Sequence, residues 1–266
     1  MSSDEIRWNL PFPVFESHFH ALHLAQRGLD PRAILDGAFS RGLAGAVDAA
    51  VDEHRFAERL ALARDYPLLR LSAGVHPSES GGDIDARMET VAAQAADPAV
   101  TALGETGLDF FRDYADPADQ EEAFRRHLSL SRETGLPVII HCREADDRVH
   151  AVIASVPPAG GVMHCFSSDW DSARKALDAG LYVSFAGNLT YKKSDDIRGA
   201  AARVPLDRLL IETDAPYLSP QEVRRRPNHP GHLGYTLSVL AEVRGENPAD
   251  VARACAENGR RLFFRD

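Results

Sequence analysis

The sequence predicts a TIM barrel, a closed ring of eight β/α units. Three observations carry that expectation. Short apolar runs alternate with helical stretches along nearly the whole chain, and eight such runs can be counted. Histidines or carboxylates stand at the C-terminal end of nearly every run. In a barrel, those ends converge on one mouth, where the active site lies. An open doubly wound sheet also alternates strand and helix, but polar ends drawn from all round the ring favour closure.

The elements follow in order. The first strand is placed at FPVFES (12–17), followed by a helix at PRAILDGAFSRG that opens on Asp30-Pro31, with proline at the first helical position. LAGAVDAA (43–50) precedes the helix EHRFAERLALARDY, and LLRLSAGV (68–75) precedes DIDARMETVAAQAA. VTALGETG (100–107) leads into PADQEEAFRRHLSLSRETG, which starts after Asp116 and stops at Gly135. LPVIIHC (136–142) leads into DDRVHAVIASV, and GVMHCFS (161–167) into DWDSARKALDAG, which stops at Gly180. LYVSFAG (181–187), SDDIRGAAARV and RLLIETD (208–214) complete the ring, and two helices at 232–244 and 248–263 close the chain. The runs are bounded by Gly, Pro or polar residues, as strands are. Apolar positions in most intervening stretches recur every three to four residues. With no linker, repeat or low-complexity tract, residues 1–266 read as one domain.

Composition narrows the function. With 266 residues, 44% of them hydrophobic, the chain can bury a large core. A net charge of −10 excludes a basic coat for tight, non-specific nucleic-acid binding. Three cysteines, Cys142, Cys165 and Cys255, cannot all pair and do not have zinc-knuckle spacing. This points to a reduced, cytoplasmic protein. The N-terminal stretch MSSDEIRWNLPFP has no apolar core of a secretory signal, and no segment is long enough to span a membrane.

The chemistry sits at the strand ends. These carry His18 and His20, Asp48 and Asp52, His76, Glu105 and Asp109, His141, His164, and Glu212 and Asp214. In a strand, residues two apart share a face, so His18 and His20 project together, with Glu16 beside them. Taken singly, His164 reads as a hydrogen-bonded core residue and Glu105 as a cap or ion-pair partner. Taken jointly, the set matches divalent-metal chemistry, with imidazole suiting zinc and carboxylates adding manganese or magnesium. Six ligands with one bridging carboxylate are enough for two ions. Such ions, about 3.5–4 Å apart, bind both the attacking water and the leaving oxygen of a phosphoester. His23, His54, His127, His150 and His232 are placed on the surface. Cys142 and Cys165 each follow a candidate ligand histidine, so alternation points both thiols outward, toward the helix layer.

The segments ESHFH, AGVHP, ALGETGLDFF, LPVIIHCREA, GVMHCFS, LLIETDAPYLSP, RPNHPGHL and NGRRLF occur in this order over nearly the whole chain. Together they resemble the TatD-type metal-dependent deoxyribonucleases. The resemblance implies a TIM barrel, a two-metal centre and hydrolysis of nucleic-acid phosphodiesters. It implies His18, His20 and Asp214 as ligands of one ion, His141 and His164 as ligands of a second, and Glu105 as the bridge. It implies that Arg143 contacts phosphate and that Arg226 and Asn228 hold substrate. The chain departs from the family in having Glu16 where Asp is usual, Ala21-Leu22 after the second histidine, no second histidine after AGVHP, Ser168 for Gly, and His229 for Glu.

The resulting expectation is a metal-dependent phosphodiesterase of the 3′→5′ exonuclease type, using two ions of zinc, magnesium or manganese. Glu105 and Asp214 are the catalytic pair, with Asp214 accepting the proton of the attacking water. Arg143 and the metals stabilise charge on the phosphate. The acidic chain shows one evident basic cluster, Arg224, Arg225 and Arg226, so single-stranded ends fit better than a wrapped duplex. Two alternatives stand beside this reading. One is ester or amide hydrolysis, for example of an aminoacyl-tRNA; the other is a catalytically silent binding barrel.

Overall fold

Eight parallel strands run in sequence order around one sheet: β1 (Val14–Phe19), β2 (Leu43–Asp48), β3 (Leu69–Ala73), β4 (Val100–Asp109), β5 (Val138–Arg143), β6 (Gly161–Met163), β7 (Tyr182–Phe185) and β8 (Leu209–Ile211). The computed structural model describes residues 7–264. Residues 1–6 of the stretch read as lacking a leader lie outside it. The ring closes where the chain beyond β8 meets β1. Phe19 bridges to Ala215, the Asp214 N–H donates to the His18 carbonyl (3.0 Å), and the His20 N–H donates to the Ala215 carbonyl (2.8 Å). The expected barrel is therefore observed.

Helices α2 (Pro31–Phe39), α3 (Phe56–Asp65), α4 (Ile84–Ala95), α5 (Pro117–Thr134), α6 (Asp146–Ser155), α7 (Trp170–Asp178) and α8 (Asp195–Ala201) follow their strands, with α9 (Leu233–Arg244) and α10 (Pro248–Phe263) last. Local chemistry sets their ends. Asp30 accepts the Arg32 N–H (3.0 Å) and Asp116 accepts the Ala118 N–H (2.8 Å), each just before a proline. Gly135 ends α5 at φ +71°, in the left-handed region that glycine enters freely. The six-residue helix α1 (Ala21–Gln26) was not expected; it begins directly after His20.

Strand alternation divides the core into two layers. Phe15, Val47, Ala102, Ile139, Val162, Tyr182 and Leu210, one from each of seven strands, form a cluster with Phe263 of α10. Their neighbours in sequence, such as Val14, Ala46, Val138, Ile140 and Leu209, belong to the larger core that includes the helices' buried faces. The rings of Phe263 and Phe15 stack with centroids 6.0 Å apart. Truncating a buried phenylalanine such as Phe15 to alanine costs about 3–5 kcal/mol. His141, His164 and Glu212 each lie two residues beyond an inner-cluster residue (Ile139, Val162 and Leu210). They therefore continue the same inward face toward the mouth.

Five strands stop earlier than expected, β6 and β8 by the most. Beyond Met163 the chain turns at Cys165 (φ +45°), and beyond Ile211 it turns at Asp214 (φ +54°). Aspartate tolerates the left-handed region better than most residues. Once the backbone leaves the extended region, alternation no longer says which way a side chain points.

Candidate metal centre

The loop side of the barrel brings Nε2 of His18, Nε2 of His20, Oε2 of Glu105 and Oδ1 of Asp214 together. The two imidazole nitrogens are 3.2 Å apart. Glu105 Oε2 lies 3.4 Å from His18 and 3.6 Å from His20, and Asp214 Oδ1 lies 3.6 and 3.5 Å from the same two. Four ligands set tetrahedrally at about 2.0–2.1 Å from a zinc-sized ion would be about 3.3 Å apart. The donor spacing fits such an ion.

Glu105 turns its other oxygen to a second set. Oε1 lies 2.7 Å from His141 Nδ1 and 2.7 Å from His164 Nε2, and those two nitrogens are 3.2 Å apart. One carboxylate thus faces two groups of imidazoles with different oxygens. His18, His20, Glu105, His141, His164 and Asp214, named from the sequence, converge at one mouth.

Glycines make room for this approach. Gly104 has φ +121° and Gly107 φ +140°. A side chain at Gly107 would run into the carbonyl of His141 on the neighbouring strand. On β1, a register shift between Glu16 and Phe19 goes with Ser17 and His18 both reaching inside. Ser17 Oγ is 2.9 Å from Ser184 Oγ, while the next residue joins the donor set.

Outer residues fix the imidazoles. His20 Nδ1 lies 3.1 Å from the Ala49 carbonyl, and His164 Nδ1 lies 3.1 Å from Oε1 of Glu212. Each contact holds a proton on Nδ1, so that in the neutral ring Nε2 is the nitrogen left to face a cation. His141 Nε2 lies 3.3 Å from Oδ2 of Asp109. Glu212 and Asp109, at strand ends, thus orient His164 and His141. Asp48 is instead paired with the buried Arg59 at 2.9 Å. Glu16 does not stand beside the histidines' donor atoms. Its oxygens accept the Thr213 N–H (2.8 Å) and hydroxyl (2.7 Å).

His76 was seen at a strand end and left out of the ligand set. Its Nε2 is 3.5 Å from Glu105 Oε1, close enough to group with Glu105 and His141 as a possible metal site. Its Nδ1, however, accepts the Ser78 N–H (3.0 Å). The neutral ring therefore carries its hydrogen on Nε2, which makes it a hydrogen-bond donor toward the centre and a poor ligand. Burial holds its pKa down at about 3, against the pull of Glu105.

The charges are mutually set. Burial opposes ionisation of Glu105, yet His164, His76 and His18 hold it well below the usual carboxylate range. Burial also opposes charge on His164, but Glu105 and Glu212 raise it well above the ordinary imidazole value. His20 is raised, against burial, by Asp214 and Glu105, and His141 by Asp109 and Glu105. His18 is lowered by burial and by the neighbouring His164. Asp214 is lowered, against burial, by His20 and His18.

Several expectations need correction. Cys142 and Cys165 are free thiols; Cys142 packs against the larger core, as alternation predicts, whereas Cys165 faces the cleft. The turn at Cys165 breaks the alternation that would have sent it outward. Burial raises the Cys142 thiol to about 12 and raises Cys165 well above its ordinary value, aided by Asp214 and Glu212, so neither is a ready thiolate. Asn228 is fully buried and braces the loop after β8. Its Nδ2 donates to the carbonyls of Thr213 (2.8 Å) and Tyr217 (2.7 Å), and its Oδ1 accepts the His229 N–H (3.0 Å) and lies 3.0 Å from His232 Nδ1. Two donors and two acceptors are used, which leaves nothing for substrate. His127 and His232, expected at the surface, are buried. His127 lies inside, between the Ala123 carbonyl (2.7 Å) and the Val75 N–H (3.2 Å).

Above the donors opens a cavity of about 1010 Å³. Among the described residues, six arginines border it: Arg27, Arg112, Arg143, Arg224, Arg225 and Arg226. Only the last three were legible as a cluster; the others arrive on separate loops.

A parallel barrel with histidine and carboxylate donors at its C-terminal rim is the architecture of a metal-dependent hydrolase. Residues 15–264 match the TatD related DNase family, and the chain belongs to that family. It is 39% identical over 197 residues to the uncharacterized metal-dependent hydrolase YcfH of Escherichia coli K12, covering 73% of this chain and 74% of that one. It is 34% identical over 252 residues to the 3′-5′ ssDNA/RNA exonuclease TatD of Salmonella typhimurium LT2, covering 90% and 95%. The crystal structure of YJJV, a TatD homolog from Escherichia coli K12, superimposes with a TM-score of 0.88 at 29% identity, covering 96% of this chain and 99% of that one.

Proposed function

We propose that the protein is a two-metal exonuclease that removes nucleotides from the 3′ ends of single-stranded nucleic acid, acting as one domain in the cytoplasm. The observation that carries this reading is the split carboxylate of Glu105, one oxygen to His18 and His20, the other to His141 and His164. His18, His20 and Asp214 would hold one ion, His141 and His164 the other, with Glu105 shared. Among zinc, magnesium and manganese, the four imidazoles favour zinc-like ions. When bound, the ions supply Lewis acidity to the phosphate and a nucleophilic water at neutral pH.

The chain's own groups do the rest. Asp214, held ionised, is positioned to take the water's proton. Arg143 and Arg226, at the cavity wall, hold phosphate oxygens through planar guanidinium forks. His76 donates through Nε2 to an oxygen beside the centre. Asn228 contributes by fixing the loop that carries Arg226. Among the described residues no helix is long and apolar enough to cross a membrane. Three free thiols support a reducing compartment.

The test is digestion of 3′- and 5′-labelled single- and double-stranded oligonucleotides with Mg²⁺, Mn²⁺ or Zn²⁺, beside a panel of carboxylic esters. Stepwise shortening from the 3′ end of single strands is expected. Ester turnover with intact oligonucleotides would replace this reading with the carbonyl-hydrolase alternative.

A further inference from the structure

Five large apolar side chains are exposed among the described residues, and four are aromatics: Phe110 (40%), Phe111 (48%), Tyr114 (66%) and Tyr217 (37%), of which Tyr114 and Tyr217 line the cavity. Three of them belong to the loop between β4 and α5. That loop is firmly seated. Asp109 Oδ1 accepts the N–H groups of Phe111 (3.0 Å) and Arg112 (3.1 Å). The Phe110 N–H donates to the Arg143 carbonyl (2.9 Å), and Gln120 clasps the Asp109 backbone at 2.9 and 3.2 Å. The exposed rings are therefore presented by an anchored backbone.

Guanidiniums alternate with these rings. Arg143 Cζ lies 3.8 Å from the Phe111 centroid. Arg112 Cζ lies 5.2 Å from the same ring and 6.0 Å from that of Tyr114. Arg143, Arg112 and Tyr114 also line the cavity above the donor sets. A guanidinium face stacks on a π-system while its edge donates to phosphate. Aromatic faces take any base, because every base has a π-face.

We propose that Arg143, Phe111, Arg112 and Tyr114 form a base-stacking subsite that holds the nucleobases flanking the scissile phosphate, without regard to sequence. This rests on the phosphodiesterase reading above. Bases are free to stack there only when unpaired, so the subsite also accounts for selection of single strands.

The test compares an oligothymidylate with a strand of equal length whose terminal residues are abasic. Wild type, Tyr114→Leu, Phe111→Leu and Tyr114→Phe are assayed, with melting curves to confirm folding. Wild type is expected to favour the base-bearing strand by about 10- to 100-fold in kcat/KM. The leucine variants should lose most of that preference, falling much further on the base-bearing strand than on the abasic one. Tyr114→Phe should keep it. Equal cleavage of both strands by wild type, or equal losses on both strands in the leucine variants, would overturn the subsite and leave the phosphodiesterase standing. No cleavage of either strand by wild type would remove both.

Discussion

Nδ1 of His164 lies 3.1 Å from Oε1 of Glu212, which leaves the opposite ring nitrogen, Nε2, 2.7 Å from Glu105. The outer carboxylate thus selects the tautomer that can donate a lone pair to a cation. Glu212→Ala is expected to weaken divalent-metal binding by about 10- to 100-fold. A competitive titration against a chelating dye reads this directly. Wild-type affinity in the variant would show that the tautomer is set by something else.

Glu105→Gln removes one negative charge at nearly constant shape from the point where both imidazole groups meet. The variant is expected to bind fewer ions and to lose most hydrolytic activity, while the barrel remains folded. Metal content by elemental analysis, thermal melting and oligonucleotide cleavage check the three parts. Two ions retained together with full turnover would rule out the shared-carboxylate role.

Metal binding must displace protons from imidazoles whose folded-state pKa values are raised, most of all that of His164. Affinity should therefore climb with pH not only through 6.5 but above it, until the raised values are passed. Isothermal titration in buffers of different ionisation enthalpy would show proton release at neutral pH. A flat affinity from pH 6 to 8 would contradict the raised values.

His127 behaves in the opposite sense. Burial lowers its pKa to about 4, against the partial support of the Ala123 carbonyl. Its neutral form contributes fully above 6.5, and that stability is lost as pH falls from 6.5 toward 4, because the unfolded chain takes up the proton first. At pH 5 the penalty is about 2 kcal/mol. His127→Gln, though less stable at pH 7, should show a smaller fall in melting temperature between pH 7 and pH 5. An equal fall would place the acid sensitivity elsewhere.

Arg226→Ala should raise KM for an oligonucleotide by about tenfold with little change in kcat, since a remote phosphate contact acts alike in ground and transition states. A loss confined to kcat would move Arg226 into the chemistry itself.

The barrel and the ring of histidines and carboxylates at its strand ends were legible in the sequence because both are written in short-range patterns. Extended strands alternate with a period of two, helices repeat near 3.6, and a histidine two residues past an inner-cluster apolar residue must share its face, as His141 follows Ile139. The choice of six candidate donors and their pairing into two groups came from resemblance, and the split of Glu105 then appeared in the geometry. Tertiary structure decided what local pattern cannot carry. Cys165 left the alternation because its backbone turns to φ +45°. Glu16 was drawn to Thr213, 197 positions away, by N–H and hydroxyl groups that closure of the ring brings beside it. Asn228 was claimed by four partners inside its own loop region, and His127 by a carbonyl and an N–H within the core. The six arginines of the mouth and the rings of Phe111 and Tyr114 became one surface only through the folding of separate loops. Sequence period follows from the repeat of one backbone conformation, whereas partners distant along the chain are assigned by which polar groups burial leaves to be satisfied.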